Sequence, residues 1–138
     1  MSELERCIRE GKLVRTRIEP DIVEKELKEA RADLESSRAS ETDGNAKWAI
    51  VQAYYSMFHT AKALALHRGY RKKSHLCLSI ALRGLFTGLD PRHARNFRDC
   101  MALREDADYG LTYSDDSAKE AIRWAGEFLE DASILIKP

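Results

Sequence analysis

No segment of this sequence approaches the roughly 20 consecutive apolar residues that a helix needs to cross a bilayer. Its first residues, MSELERCIREGK, are too charged for a secretory leader, so a cytoplasmic address is the expectation. An excess of charge of either sign is also missing. The 23 Lys and Arg offset 23 Asp and Glu, so no global field draws the chain onto nucleic acid or anionic lipid, and any such binding has to be local. Cysteine is scarce: Cys7, Cys77 and Cys100 are odd in number, far apart, and lack CxxC or clustered histidine spacing. That pattern supports neither a disulfide framework nor a metal site. The thiols are expected to be reduced, with Cys77 and Cys100 packed in the core. Only 3 prolines occur, and no long alternation of apolar and polar residues stands out, so strands are not expected. HExxH, P-loop, GxSxG and paired Glu-x-x-His signatures are absent, which excludes zinc-protease, P-loop NTPase, serine-hydrolase and di-iron chemistry and implies no cofactor.

What remains reads as helix. With 138 residues, 43% of them hydrophobic and 33% charged, the chain suits one all-α domain spanning 1–138 with solvated outer faces. A first helix is expected over Glu3 to Ile18, weakened at Gly11. A second opens at Pro20, buries Val23, Leu27, Ala30 and Leu34, and is expected to end in the Ser36 to Asn45 stretch, whose Ser, Thr, Asp and Gly favour turns. From Asn45 to Arg68 apolar and aromatic residues fall on nearly every side, the pattern of a central helix surrounded by others. Gly69 ends it, Ser74 caps the next helix through Leu85, and Gly88 closes that one. Pro91 opens a helix with Ala94, Phe97 and Met101 inward, ending at Gly110. Ala118, Ala121, Ile122, Ala125, Phe128, Leu129, Ala132 and Leu135 mark the last, capped from within Ser114 to Ser117. The sum is an up-down helical bundle of four to five main helices.

Three constellations carry possible chemistry. Continuing the inward stripe of the fifth helix leads from Met101 to Arg104 and Asp108, four residues apart and able to pair. An inward guanidinium needs a carboxylate and further acceptors, so the pair is either structural or part of an anion or substrate contact. The segment RGYRKKSH places Arg68, Arg71, Lys72 and Lys73 between two helix ends, beside Tyr70 and His75. It is either a phosphate grip or a solvated basic loop. On the central helix Gln52, Ser56, His59 and His67 lie among Tyr54, Tyr55 and Phe58, where a histidine serves either as a general base on an RNA 2′-hydroxyl or as a satisfied core imidazole.

The string YYSMFHTAKALALHRGYRKKSH, followed by LREDADYG and a final amphipathic helix, resembles the HEPN domain over roughly Ala46 to Leu135. The YYxMFH block, the SH that opens the next helix and the RxxADYG block are its most specific parts. The resemblance implies a helical bundle, often a homodimer, and a nucleotide- or RNA-related role beside a minimal nucleotidyltransferase partner in a toxin-antitoxin pair. Ribonuclease members of that family carry Arg, four to six residues, then His. Here Arg104 matches the arginine by position, but the histidine neighbourhood reads Asp108-Tyr109. Arg68 and His75 have six residues between them, yet they lie across an interhelical loop, earlier than the family site.

The favoured expectation is therefore a non-catalytic binding module with Arg68, Arg71, Lys72, Lys73, His75 and Tyr109 as ligand contacts. The alternative is a metal-independent RNA-cleaving toxin, in which Arg104, Asp108 and His59 form the reactive group or His75 supplies the base. A plain scaffold bundle is the third possibility. The dimer is also expected because the aromatics of the central helix need more cover than one short bundle supplies.

Overall fold

Six helices and one short two-stranded ribbon account for residues 1–86 and 88–137, the part of the chain that the computed structural model describes. In chain order these are α1 (Glu3–Arg9), β1 (Leu13–Arg15), α2 (Pro20–Thr42), α3 (Ala46–His67), β2 (Tyr70–Lys72), α4 (His75–Gly84), α5 (Arg92–Tyr109) and α6 (Asp115–Ile136). The class is all-α, as the periodicity indicates. α3 is the central rod, packed against α2, α4, α5 and α6, and Ala49, Ile50, Ala53, Tyr54, Met57, Ala61 and Leu64 on it are fully buried. Around it Leu27, Ala30, Phe97, Ala121, Ala125 and Phe128 close one continuous core.

Capping sets most of the boundaries. Asn45 accepts from the Trp48 amide at the start of α3, Ser74 from Cys77 at the start of α4, and Ser114 from Ser117 at the start of α6. Each satisfies one of the amides that a helix N-terminus leaves free. Gly69 ends the α3 segment at φ +82, a left-handed backbone that favours glycine.

Several features differ from the sequence expectation. α2 ends at Thr42, inside the expected Ser36 to Asn45 stretch, but stays helical through most of that Ser- and Thr-rich run. Its hydroxyls are used between helices: Ser37 Oγ donates to the Ala49 carbonyl at 2.6 Å, and Ser56 Oγ of α3 donates back to the Ala30 carbonyl at 2.8 Å. A hydroxyl satisfied this way no longer competes for its own backbone. The first helix ends at Arg9, because Gly11 takes φ +72 and turns the chain into β1. β1 pairs antiparallel with β2 in the register Leu13↔Lys72, Val14↔Arg71 and Arg15↔Tyr70. Val14, Thr16 and Ile18 do alternate with Arg15 and Arg17, a brief period of two.

The largest correction concerns cysteine. Cys7 and Cys77 form a disulfide, Cα–Cα 5.8 Å, joining α1 to the first turn of α4, and only Cys100 is free and buried. The two are 70 residues apart in sequence and meet because α1 packs on α4 through Leu4, Cys7, Cys77 and Ala81. Of the central-helix aromatics expected to need cover from a dimer, Tyr54 and Phe58 are covered within one chain and Trp48 is exposed, as are Tyr109 and Tyr113 outside that helix. No helix of the described residues is long and apolar enough to cross a membrane.

Candidate functional site

Three elements bring Arg104, Lys72 and His75 to one aromatic floor on α3. The Arg104 guanidinium of α5 lies over Tyr54 and Tyr55 of α3, 5.4 and 5.7 Å from their ring centroids. Lys72 of β2 places its ammonium 4.8 Å over Phe58. His75, at the first position of α4, stacks on Phe58 at 4.7 Å and puts Nδ1 2.6 Å from the Tyr54 hydroxyl. Arg104 and His75 thus both contact Tyr54. Tyr54 is fully buried and Phe58 nearly so, leaving Tyr55 half-buried. The floor therefore orients cations through cation–π contacts and offers little open surface for stacking a base.

The Arg104–Asp108 pair expected from the stripe is present, Nε to Oδ2 3.2 Å, with both side chains about a quarter exposed. The contact is one of charge rather than of a directed hydrogen bond, since buried Nε has no hydrogen-bond partner among the described residues. A guanidinium held by cation–π contact with two phenol rings, its Nε unpartnered, can offer its terminal nitrogens to an outside acceptor such as a phosphate oxygen.

His75 titrates below the ordinary imidazole range, first because it is buried and then because Lys72 and Arg104 repel its cation. It is therefore neutral at neutral pH, and the proton's position follows from Tyr54. Burial raises the Tyr54 pKa, so the phenol keeps its hydrogen. Among the described residues the acceptor available to that buried hydroxyl is His75 Nδ1. The reverse assignment would leave a buried O–H unsatisfied, which costs about 1–3 kcal/mol. Tyr54 thus donates to Nδ1, and Nε2 carries the ring hydrogen. In this form His75 presents a donor to a ligand rather than a base.

His59 is engaged elsewhere. Its Nδ1 is 2.6 Å from Glu26 Oε2 and its Nε2 3.7 Å from Asp33 Oδ2, while Lys62 Nζ lies 2.9 Å from Glu26 Oε1. Burial alone would raise the Glu26 pKa, but hydrogen bonds from His59 and Lys62 outweigh it and hold it low. The same burial raises Asp33. The trio Arg104, Asp108 and His59 is thus split, with the first two paired and the third held by carboxylates of α2. Lys72 lies next to this cluster, its pKa lowered by burial and by Lys62.

The basic segment is divided as well. Arg68 stacks on Phe86, Arg71 borders a small groove with Thr16 and Leu66, and Lys73 is exposed. Lys72 is the one that reaches the floor, because side chains alternate along β2. Tyr109 is 79% exposed and points into solvent. Tyr54, named from the sequence only among the aromatics around His59, is the residue that orients His75. Its signal was available: a buried phenol needs a partner, and SH opens the next helix.

The HEPN domain profile matches residues 23–135. The chain belongs to the HEPN domain family. UPF0332 protein PH1297 of Pyrococcus horikoshii is 41% identical over 56 residues, a stretch covering 41% of this chain and 39% of that protein. The chain thus matches about two fifths of that relative's length. Among solved structures, ST0689, an archaeal HEPN homologue, superposes with TM-score 0.67 at 22% identity, covering 83% of this chain and 98% of its own. TT1696 from Thermus thermophilus gives 0.66 at 20% identity, covering 81% and 96%. These two likenesses establish the HEPN bundle as the fold.

Proposed function

We propose that this HEPN protein is a binding module for the phosphate of a nucleotide or RNA, without its own catalysis. The observation that carries this is the Arg104 guanidinium, stacked on Tyr54 and Tyr55 with an incompletely satisfied donor set, beside a His75 that presents N–H. A phosphate oxygen would accept from both, and Lys72 would add charge. The proposal includes a homodimer, a minimal nucleotidyltransferase as partner in a toxin-antitoxin pair, and a cytoplasmic setting. Cys7 and Cys77, each 4% exposed, would be shielded there from thiol reductants.

The test is titration of a fluorescent oligoribonucleotide and of a nucleotide into the wild type, Arg104→Ala and Lys72→Ala. Loss of binding in folded Arg104→Ala supports the reading, and unchanged binding sinks it. Light scattering checks the dimer, for which a mass near the 15.7 kDa monomer is the opposing result.

The second reading is a metal-independent ribonuclease in which His75, rather than His59, acts beside Arg104. The neutral state of His75 favours it, while the tautomer opposes it, because Nε2–H donates and does not accept a 2′-hydroxyl proton. RNA incubated in EDTA decides. Cleavage by wild type that vanishes in Arg104→Ala and His75→Ala but survives in His59→Ala would establish the enzyme.

A further inference from the structure

On the α4–α5 side of the bundle, Arg83, Arg95 and Arg98 line one open groove of about 580 Å³, together with Pro91 and Asp99. Arg83 comes from the last turn of α4, and Arg95 and Arg98 are one turn apart on α5. Among the described residues none of these three guanidiniums has a carboxylate within ion-pair distance, as is true of most arginines of the chain, but these three share one groove. Asp99 is the one acid in the groove, against three cations.

Helix electrostatics does not account for the arrangement. The positive end of α5 carries Arg92, Arg95 and Arg98 with no acid in its first turn, and the negative end carries Glu105, Asp106 and Asp108 with no base in its last. The C-terminal end opposes the macrodipole, which favours bases there, and at the N-terminal end the one acid, Asp90, is taken up by the Arg92 amide and guanidinium, which leaves Arg95 and Arg98 with no carboxylate of their own. The groove also continues, since Arg98 borders a second depression of about 200 Å³ with Leu76, Ser79 and Met101.

We propose that the α4–α5 seam is a second anion site that takes a ligand presenting at least two neighbouring phosphoryl groups. Arginine forks match phosphate oxygens two at a time, and a groove of this size suits paired phosphates better than one carboxylate. Its two possible sources are the polyphosphate of a free nucleotide and successive phosphodiesters of an RNA strand. The site stands whether or not the Arg104 face binds anything.

The experiment titrates inorganic triphosphate, and separately a 5′-hydroxyl oligoribonucleotide, into the full chain. Variants are Arg83→Gln with Arg98→Gln, Arg98→Lys, and Lys25→Gln with Lys28→Gln as a charge-matched control on α2. Triphosphate affinity is expected to fall at least tenfold in the double arginine variant, to an intermediate value in Arg98→Lys, and not at all in the control. If RNA affinity falls too, with its salt slope reduced by about 1.4 for two lost cations on a single strand, the strand is the source. Retained RNA binding with lost triphosphate binding assigns the site to a free polyphosphate. Thermal midpoints at or above wild type would show the fold intact. Triphosphate binding that is absent from wild type, unchanged in the arginine variants, or equally lost in the control overturns the proposal.

Discussion

The Tyr54 hydroxyl and His75 Nδ1 are 2.6 Å apart, and this contact across the α3–α4 interface decides which imidazole nitrogen faces outward. Tyr54→Phe removes the donor while keeping the ring that packs on Phe97 at 5.8 Å. The expected loss of stability is about 1 kcal/mol by urea denaturation, the usual net value of one hydrogen bond. Nitrogen NMR of the imidazole should show Nε2–H in the wild type and a mixed tautomer in the variant. An Nδ1–H wild type would reverse the role assigned to His75.

Asp108 competes with any anion for Arg104. Asp108→Asn is therefore expected to tighten phosphate binding several-fold, while Arg104→Lys weakens it by losing the planar fork and the stacking. Because the pair is about a quarter exposed, Arg104→Ala should lower stability by only about 1 kcal/mol, near the range for solvent-screened pairs. A much larger loss in chemical denaturation would return the pair to a purely structural role.

Acid should act through His75. Its folded pKa lies below the ordinary 6.5, so the unfolded chain takes up a proton that the folded chain resists. The associated stability is complete above pH 6.5 and declines as pH falls through the folded pKa. His75→Gln should flatten the stability profile below about pH 6.5. Phosphate binding has the opposite sign, since an anion favours imidazolium, and affinity should rise across that window in wild type only.

Reduction should be costly. A closed loop of 70 residues corresponds to about 4 kcal/mol of chain entropy, so dithiothreitol or Cys7→Ser should lower the thermal midpoint by many degrees. The helical circular dichroism of the bundle should persist below the transition. A Cys7→Ser variant with the wild-type midpoint would show that the bridge contributes nothing.

The bundle was legible because its helices bury periodic stripes, as in Ala118 to Leu135, and because Asn45, Ser74 and Ser114 cap where caps are needed. What was not legible depended on partners remote in sequence. Ser37 reads as a turn former until the Ala49 carbonyl is placed against it. Cys7 and Cys77 look like unrelated thiols until α1 lies on α4. In the site, Arg104 and Asp108 followed from a local stripe and His75 from the basic segment, whereas the hydrogen bond that sets the His75 tautomer needed Tyr54, 21 residues away in sequence. Arg83 escaped notice because the groove it shares with Arg95 and Arg98 exists only between two helices.

β1 precedes the stretch that matches the family, yet it holds Lys72 in register opposite Leu13. The Lys73 amide and the Gly69 carbonyl, on either side of β2, are also bonded to this segment. Without β1, Tyr70–Lys72 would be an isolated connector between α3 and α4, and fixing Lys72 over Phe58 would fall to the moment of ligand capture. Ordering one residue's backbone costs about 1–2 kcal/mol, so a splint outside the bundle can change affinity without touching the ligand. The length and register of this N-terminal strand thus offer a means of tuning the site independently of the residues that form it.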